Sequence, residues 1–310
     1  MSETTGIEWC DSTANPVVGC DGCELYRTGE PESHCYAARL VGRYAGLPGW
    51  PASFDRPELF PERIKRALAW PDLTGRERPD KPWLNGRPRH IFWCDLGDPW
   101  TESLPVDWLA PYLPMLADSP HVHIFCTKRP ARARQLFEVH SAPANLILVT
   151  TVTSAATIGR VNELLRVPGI SARGVSLEPI LGPVDVIPYL PDDFTPGLNW
   201  VIVGGESGPG ARAMHPDWVR GVRDQCEAAR VPLFFKQQGE WQFGSSLKAS
   251  QDRILLNDGT LLKPDAEDAT CEQRNNWRRC QPTMVARVGK RAAGRLLDGR
   301  DWSQMPKMKP

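Results

Sequence analysis

Short β-branched or aromatic runs alternate with helical segments through the middle of the 310-residue chain, and this alternation does most to narrow its fold. The runs are His90 to Cys94, His121 to Cys126, Asn145 to Val152, Arg173 to Leu177, Asn199 to Val203 and Val231 to Phe235. Between them, Trp108 to Leu116, Ala131 to Val139, Ala156 to Leu165 and Pro216 to Ala229 carry helical spacing. The last of these opens with proline in its first turn, a helix-start signal. Strands that alternate with helices build parallel βαβ units. With a further candidate strand at Asn15 to Val18, the pattern predicts an α/β protein with an incomplete parallel (β/α) barrel over residues 1–239.

After Gly239 the pattern changes. Arg253 to Leu262 holds two apolar runs about an Asp258-Gly259 turn, a hairpin signal. Val285 to Leu297 reads as a helix closed by Asp298-Gly299, with Arg287, Lys290, Arg291 and Arg295 on a solvated basic face. Residues 240–310 are therefore expected to form a small α+β extension packed on the barrel.

Composition removes several function classes. Lys plus Arg and Asp plus Glu are 37 each, so the chain is formally neutral and a strongly basic polyanion-binding surface is not expected. No apolar run approaches the roughly 20 residues of a membrane helix, and the start MSETTGIEWC lacks a secretory pattern. A soluble, cytoplasmic protein is the expectation, with no membrane partner. No HExxH and no nucleophile elbow support a hydrolase.

In a parallel barrel the C-terminal ends of all strands open on one face, where ligands bind. Here the runs lead into Asp95 to Asp98, Thr127-Lys128-Arg129, Thr151 to Ser154, Ser176 to Pro179, Gly204-Gly205-Glu206-Ser207 and Lys236-Gln237-Gln238. Asp98, Lys128, Glu178, Glu206 and Lys236 are thus expected to face a single pocket, with charges of both signs suited to a zwitterion. The glycine-rich loop at 204–210 exposes backbone N–H groups able to meet a carboxylate or phosphate. It matches no nucleotide fingerprint.

Three of the nine cysteines cluster. Cys20 and Cys23 stand two residues apart with Gly22 between them, and Cys35 follows at the start of a candidate helix, Cys35 to Arg43. Three soft thiolates suit zinc or an iron–sulfur cluster. Structural zinc would take a fourth ligand from His34, Cys10, Cys271 or Cys280, whereas a cubane on three cysteines leaves one iron open. Cys94 and Cys126 end apolar runs and read as buried structural thiols.

Asn15-Pro16, Gly19-Cys20 and Cys35-Tyr36-Ala37 resemble the first strand and cysteine loop of radical S-adenosylmethionine proteins. More of the chain resembles a phage-associated family with a three-cysteine motif, named after phage gene products thirty-seven and sixty-eight. The matching stretches include Gly6 to Trp9, Thr127 to Pro130, Ser176 to Pro179, Val203 to Gly208, Asp217 to Arg220, Phe234 to Gln237 and Gly289 to Gly294. This chain differs in spacing, with its CxxC first and eleven residues, Glu24 to His34, before Cys35.

The resemblance implies a barrel of the radical-enzyme type and a [4Fe–4S] cluster on Cys20, Cys23 and Cys35. With S-adenosylmethionine as the cofactor, the strand-end residues Gly204, Gly205, Glu206, Ser207, Glu178, Lys128 and Lys236 are the expected binding residues, Glu206 or Glu178 for its ammonium and the glycine amides for its carboxylate. Expected partners are a nucleic-acid or nucleotide substrate, an electron donor and a partner protein. The competing expectation is a non-catalytic, zinc-stabilised, phage-related binding protein.

Overall fold

The structure, a computed structural model, describes residues 1–27, 34–244 and 252–308. Seven parallel strands form its main sheet: β1 (Ser12–Ala14), β2 (His90–Trp93), β3 (Val122–Thr127), β4 (Leu146–Thr151), β5 (Ala172–Leu177), β6 (Trp200–Gly204) and β7 (Leu233–Gln237). They lie side by side in chain order, each beside the next, so every crossover returns to the adjacent position. The curled sheet is an incomplete α/β barrel.

Alternation along each strand builds two cores. Phe92, Ile124, Val149, Ile202 and Phe234 pack inward with Trp9, Leu84 and Met305. Ile91, Trp93, Phe125, Leu148 and Val203 face outward. There they meet Leu136, Leu164 and Val219 of the helices α4 (Pro130–Phe137), α5 (Arg160–Leu165) and α6 (Pro216–Ala228). Burial on both faces is why these strands read as continuous apolar runs. Pro216 occupies the first turn of α6, while His215 caps it by accepting from the Asp217 amide at 3.2 Å. Ahead of these helices lie α1 (Tyr36–Tyr44), α2 (Glu62–Leu68) and α3 (Leu113–Ala117).

Two sequence expectations are corrected here. The first parallel strand is Ser12–Ala14, not Asn15 to Val18. Pro16 has no N–H to continue the ladder, and Val17–Val18 pair instead, antiparallel, with Glu58–Leu59. Val285 to Leu297 is not a helix. Strands β8 (Trp241–Phe243), β9 (Asp252–Leu255), β10 (Leu261–Leu262) and β11 (Thr283–Arg287) form an antiparallel sheet in the order β8-β11-β9-β10. Gly289 (φ 89°) and Gly294 (φ 72°) confine the following helix to Lys290–Ala293. Two of the basic residues are paired, Arg295 with Asp301 and Lys290 with Glu8. The hairpin about Asp258-Gly259 is present, with Ile254 opposite Leu262.

The C-terminal tail closes the sheet. Phe235 N donates to Trp302 O at 2.7 Å and Gln304 N to Leu233 O at 3.1 Å, so the tail covers the open edge of β7. Among the described residues, no helix is long and apolar enough to cross a membrane. Leu148, fully buried in the central strand, tests the core. Leu148→Ala is expected to lower unfolding free energy by about 2–5 kcal/mol in urea titration; a loss below about 1 kcal/mol would contradict the packing described.

Candidate functional site

The strand C-termini open into one cavity of about 310 Å³. Cys20, Cys23 and Cys35 line it from one side. Asp98, Lys128, Glu178 and Lys236 line it from the ends of β2, β3, β5 and β7, and Gly205, Glu206 and Ser207 from the end of β6. Gly204 is the last residue of β6, where an added Cβ would stand 2.5 Å from Glu178 Oε1. Only glycine lets that carboxylate lie against the strand.

The cysteine loop is tied down at several points. Gly19 bridges Gly97 in parallel register, extending the β1–β2 pairing beyond the strand ends. A Cβ on Gly97 would stand 2.6 Å from Gly19 O, and one on Gly19 (φ 101°) 2.7 Å from Phe54 O. Cys20 N donates to Phe54 O at 2.8 Å. Next, Gly22 (φ 106°) turns the chain, and Cys23 and Tyr26 exchange backbone hydrogen bonds at 2.8 and 3.0 Å. Arg129 then clasps this turn, donating to Cys20 Sγ at 3.5 Å and Gly22 O at 2.9 Å. Glu24 accepts a fork from Arg160 at 2.9 and 2.8 Å and a bond from Thr153 Oγ1 at 3.0 Å, anchoring the loop to the end of β4. Cys35 lies at the N-terminus of α1.

Residues 4–306 match a protein family described as "Protein of unknown function (DUF5131)". The chain belongs to this family. No curated protein and no solved structure matches it. What the DUF5131 chain does must therefore be read from its site.

Several charges in the site already have partners. Glu206 accepts from Arg212 Nε at 2.8 Å, Nη2 at 2.7 Å and its backbone N at 2.8 Å, with His34 Nδ1 at 3.4 Å. Burial disfavours the Glu206 charge, but Arg212 outweighs it and lowers the carboxyl pKa. Lys236 lies 3.2 Å from Glu178, whose other oxygen accepts from Ser176 at 3.2 Å. Burial likewise opposes the Lys236 charge, and Glu178 and Glu8 reverse the balance and raise its pKa. The glycine loop is less open than its sequence suggests. Gly205 N donates to Gln237 O at 3.0 Å and Gly208 N to Glu240 Oε1 at 2.9 Å, so those two amides do not face a ligand.

Burial raises the Cys20 pKa, Asp98 adds to this and Arg129 opposes it; burial also raises that of Cys35. Cys94 and Cys126, read from sequence as core thiols, both line the cavity. Cys94 (φ 64°) turns the chain out of β2, and Cys126 is the penultimate residue of β3. The alternative ligands Cys10, Cys271 and Cys280 do not line it, whereas His34 does. Cys10 is packed in the inner core and Cys226 in α6.

Glu24 escaped the sequence reading, although its position directly after Cys23 is a signal. Burial opposes its charge, but the Arg160 fork wins and holds the carboxyl at about 2, against its ordinary 4.5. A pKa lowered by folding contributes stability above the unfolded value that is lost as pH falls through the folded one. Stability from Glu24 is thus present above about 4.5 and lost toward about 2. In urea unfolding across this window, Glu24→Gln is expected to flatten the acid limb. An unchanged pH profile would show that the fork does not anchor the loop.

Proposed function

We propose that this chain is an iron–sulfur, S-adenosylmethionine-dependent radical enzyme acting on a nucleic-acid or nucleotide substrate. The observation that carries this reading is convergence: three thiols, two on a pinned turn and one at the start of α1, share a cavity with charges of both signs. The donor set fits the group. Cys20, Cys23 and Cys35, which line one cavity, would hold three irons of a cubane, whose fourth iron would then be open to a ligand. When bound, such a cluster supplies the electron that cleaves S-adenosylmethionine, whose fragment takes a hydrogen atom from the substrate.

The chain's own residues have definite tasks in this reading. Cys20, Cys23 and Cys35 hold the cluster, on a loop fixed by Arg129 and Glu24. Trp9 and Phe92, ring centroids 4.7 Å apart, give the cavity an apolar wall that excludes water. The Lys236–Glu178 pair offers a cation for a carboxylate and an anion for an ammonium if a zwitterion exchanges places with their mutual contact. Gly205 to Ser207 carry the adjoining wall, while Gly204 lies behind it as the last residue of β6. The reading makes the barrel one of the radical-enzyme type and requires an electron donor. It also places the protein in the cytoplasm, where thiols stay reduced.

One observation favours the zinc alternative: His34 lines the same cavity as the three cysteines and offers a fourth donor of the type structural zinc takes. Anaerobic reconstitution with iron and sulfide separates the two. The expected product is brown, and Cys20→Ala, Cys23→Ala and Cys35→Ala each lose most of the bound iron while Cys226→Ala keeps it. A colourless protein with a single equivalent of zinc, even after anaerobic expression, would replace the enzyme by the zinc-stabilised binding protein. Full iron in Cys23→Ala would remove that residue from the ligand set.

A further inference from the structure

A strip of exposed aromatic and basic side chains leaves the mouth of the cavity along α1. Clustered large apolar side chains in solvent mark a binding surface, whereas single ones need no explanation. Tyr36, Tyr44 and Leu47, on one helix and its exit turn, are 53%, 41% and 52% exposed. Helical spacing orders them. Tyr36, Arg39 and Arg43 share a face at i, i+3 and i+7, and Leu40 and Tyr44 adjoin it at i+4 and i+8. Ala37 and Val41 face the protein.

Both ends of the strip are held in place. The Tyr36 hydroxyl donates to the Asp95 carbonyl at the exit of β2, so the ring stands at the cavity wall with half its surface in solvent. Beyond α1 the chain folds back on itself. Leu47 N donates to Tyr44 O at 3.1 Å, Trp50 N to Leu47 O at 2.9 Å and Gly46 N to Pro51 O at 2.9 Å. This turn lays Trp50 against Tyr44, ring centroids 4.7 Å apart and planes 24° from parallel, and Arg63 secures it by donating to the Gly49 carbonyl. Rings fixed in this way lose little entropy when a flat group stacks on them.

Charge decides what the strip fits. From Cys35 to Phe54 the chain has no Asp or Glu, and Arg39 and Arg43 stand between the two tyrosines. Arg39 also donates to Pro209 O at 3.4 Å, which carries the positive edge toward the loop after β6. From Tyr36 to Tyr44 the helix rises about 12 Å, roughly three base steps of about 3.4 Å. Rings interleaved with cations are what hold single-stranded nucleic acid, with bases on the rings and phosphates on the cations. A lipid surface also suits such residues, but it is flat and cannot enter the concave cavity to which Tyr36 leads. We infer that α1 and its exit turn dock a single-stranded nucleic acid and lead one of its nucleotides to the cavity. The inference rests on the nucleic-acid reading above and narrows it from a free nucleotide to a strand.

The test is fluorescence anisotropy on the full chain, before iron loading, with a short labelled single-stranded oligonucleotide as probe, once as DNA and once as RNA. Binding of either is expected, and the tighter arm identifies the strand. Tyr44→Ala is expected to weaken it about 5–150-fold, the range for one stacked base, and Tyr44→Phe to keep it. Because Tyr44→Ala also uncovers Trp50, Arg43→Gln is the independent arm. It is expected to reduce the slope of log affinity against log salt by about 0.7, the share of one phosphate contact on a single strand. Phe194→Ala, which removes an exposed ring ahead of β6 at the other end of the sheet, is expected to change nothing. A wild-type chain that binds neither strand, or binding that Tyr44→Ala and Arg43→Gln leave at the wild-type level, would overturn the inference. So would equal affinity for the matching duplex. Attachment to phosphatidylserine vesicles in place of strand binding would assign the strip to a membrane, and self-association in its place to a second copy; either overturns it. All of these leave the cluster reading standing, since iron uptake tests that separately. Conversely, a chain that binds the strand through Tyr44 and Arg43 but takes up no iron upholds the docking strip and removes the radical enzyme.

Discussion

A single buried carboxylate, Asp98, joins the elements from which the site is built. It accepts from the Trp100 amide of its own loop, from Thr127 and Lys128 at the end of β3, and from Arg129, which in turn grips the cysteine turn. The geometry works because Gly97 and Gly19 allow the β2 exit and the cysteine loop to approach without side chains between them. The loop belongs structurally to the barrel rim, tied to the ends of β1 to β4 by backbone bridges and charged forks.

That arrangement explains how a formally neutral chain carries a concentrated site. The charges on the rim are sorted into local pairs, Glu178 with Lys236, Glu206 with Arg212 and Glu24 with Arg160, so the cavity holds many charges at modest electrostatic cost. Pairing inside a partly desolvated rim is stronger than on an open surface. It also means that a ligand entering here competes with existing partners, which favours ligands carrying both signs.

Much of the barrel was legible because its signal is local and repeated. Six of the seven parallel strands overlap the apolar runs, and the Pro216 helix start stands where proline permits it. The first strand was displaced because Pro16 ends a ladder that hydrophobicity alone continues. The C-terminal helix was misread because Val285 to Leu297 has helical spacing, while two positive-φ glycines and pairing with β8 and β9 decide otherwise. The site shows the same division. Strand-end residues such as Lys128 and Glu178 followed from topology. The commitments of Glu206 to Arg212 and of Glu24 to Arg160 did not, because they join residues that periodicity does not relate. Cys94 and Cys126 looked like core thiols for a similar reason: they end apolar strands, and only the turn at Cys94 and the curl of the sheet bring both to the cavity wall.

The account stands on one spatial claim, that the cysteine loop gathers its thiols around a metal centre above the strand ends. Anomalous diffraction at the iron edge from anaerobically prepared crystals reads this directly. The account predicts an iron peak in the cavity, bonded by the sulfurs of Cys20, Cys23 and Cys35 and beside Lys128 and Arg129. Iron bound instead through Cys94 and Cys126, or a cavity without iron whose three thiols point apart, would contradict it.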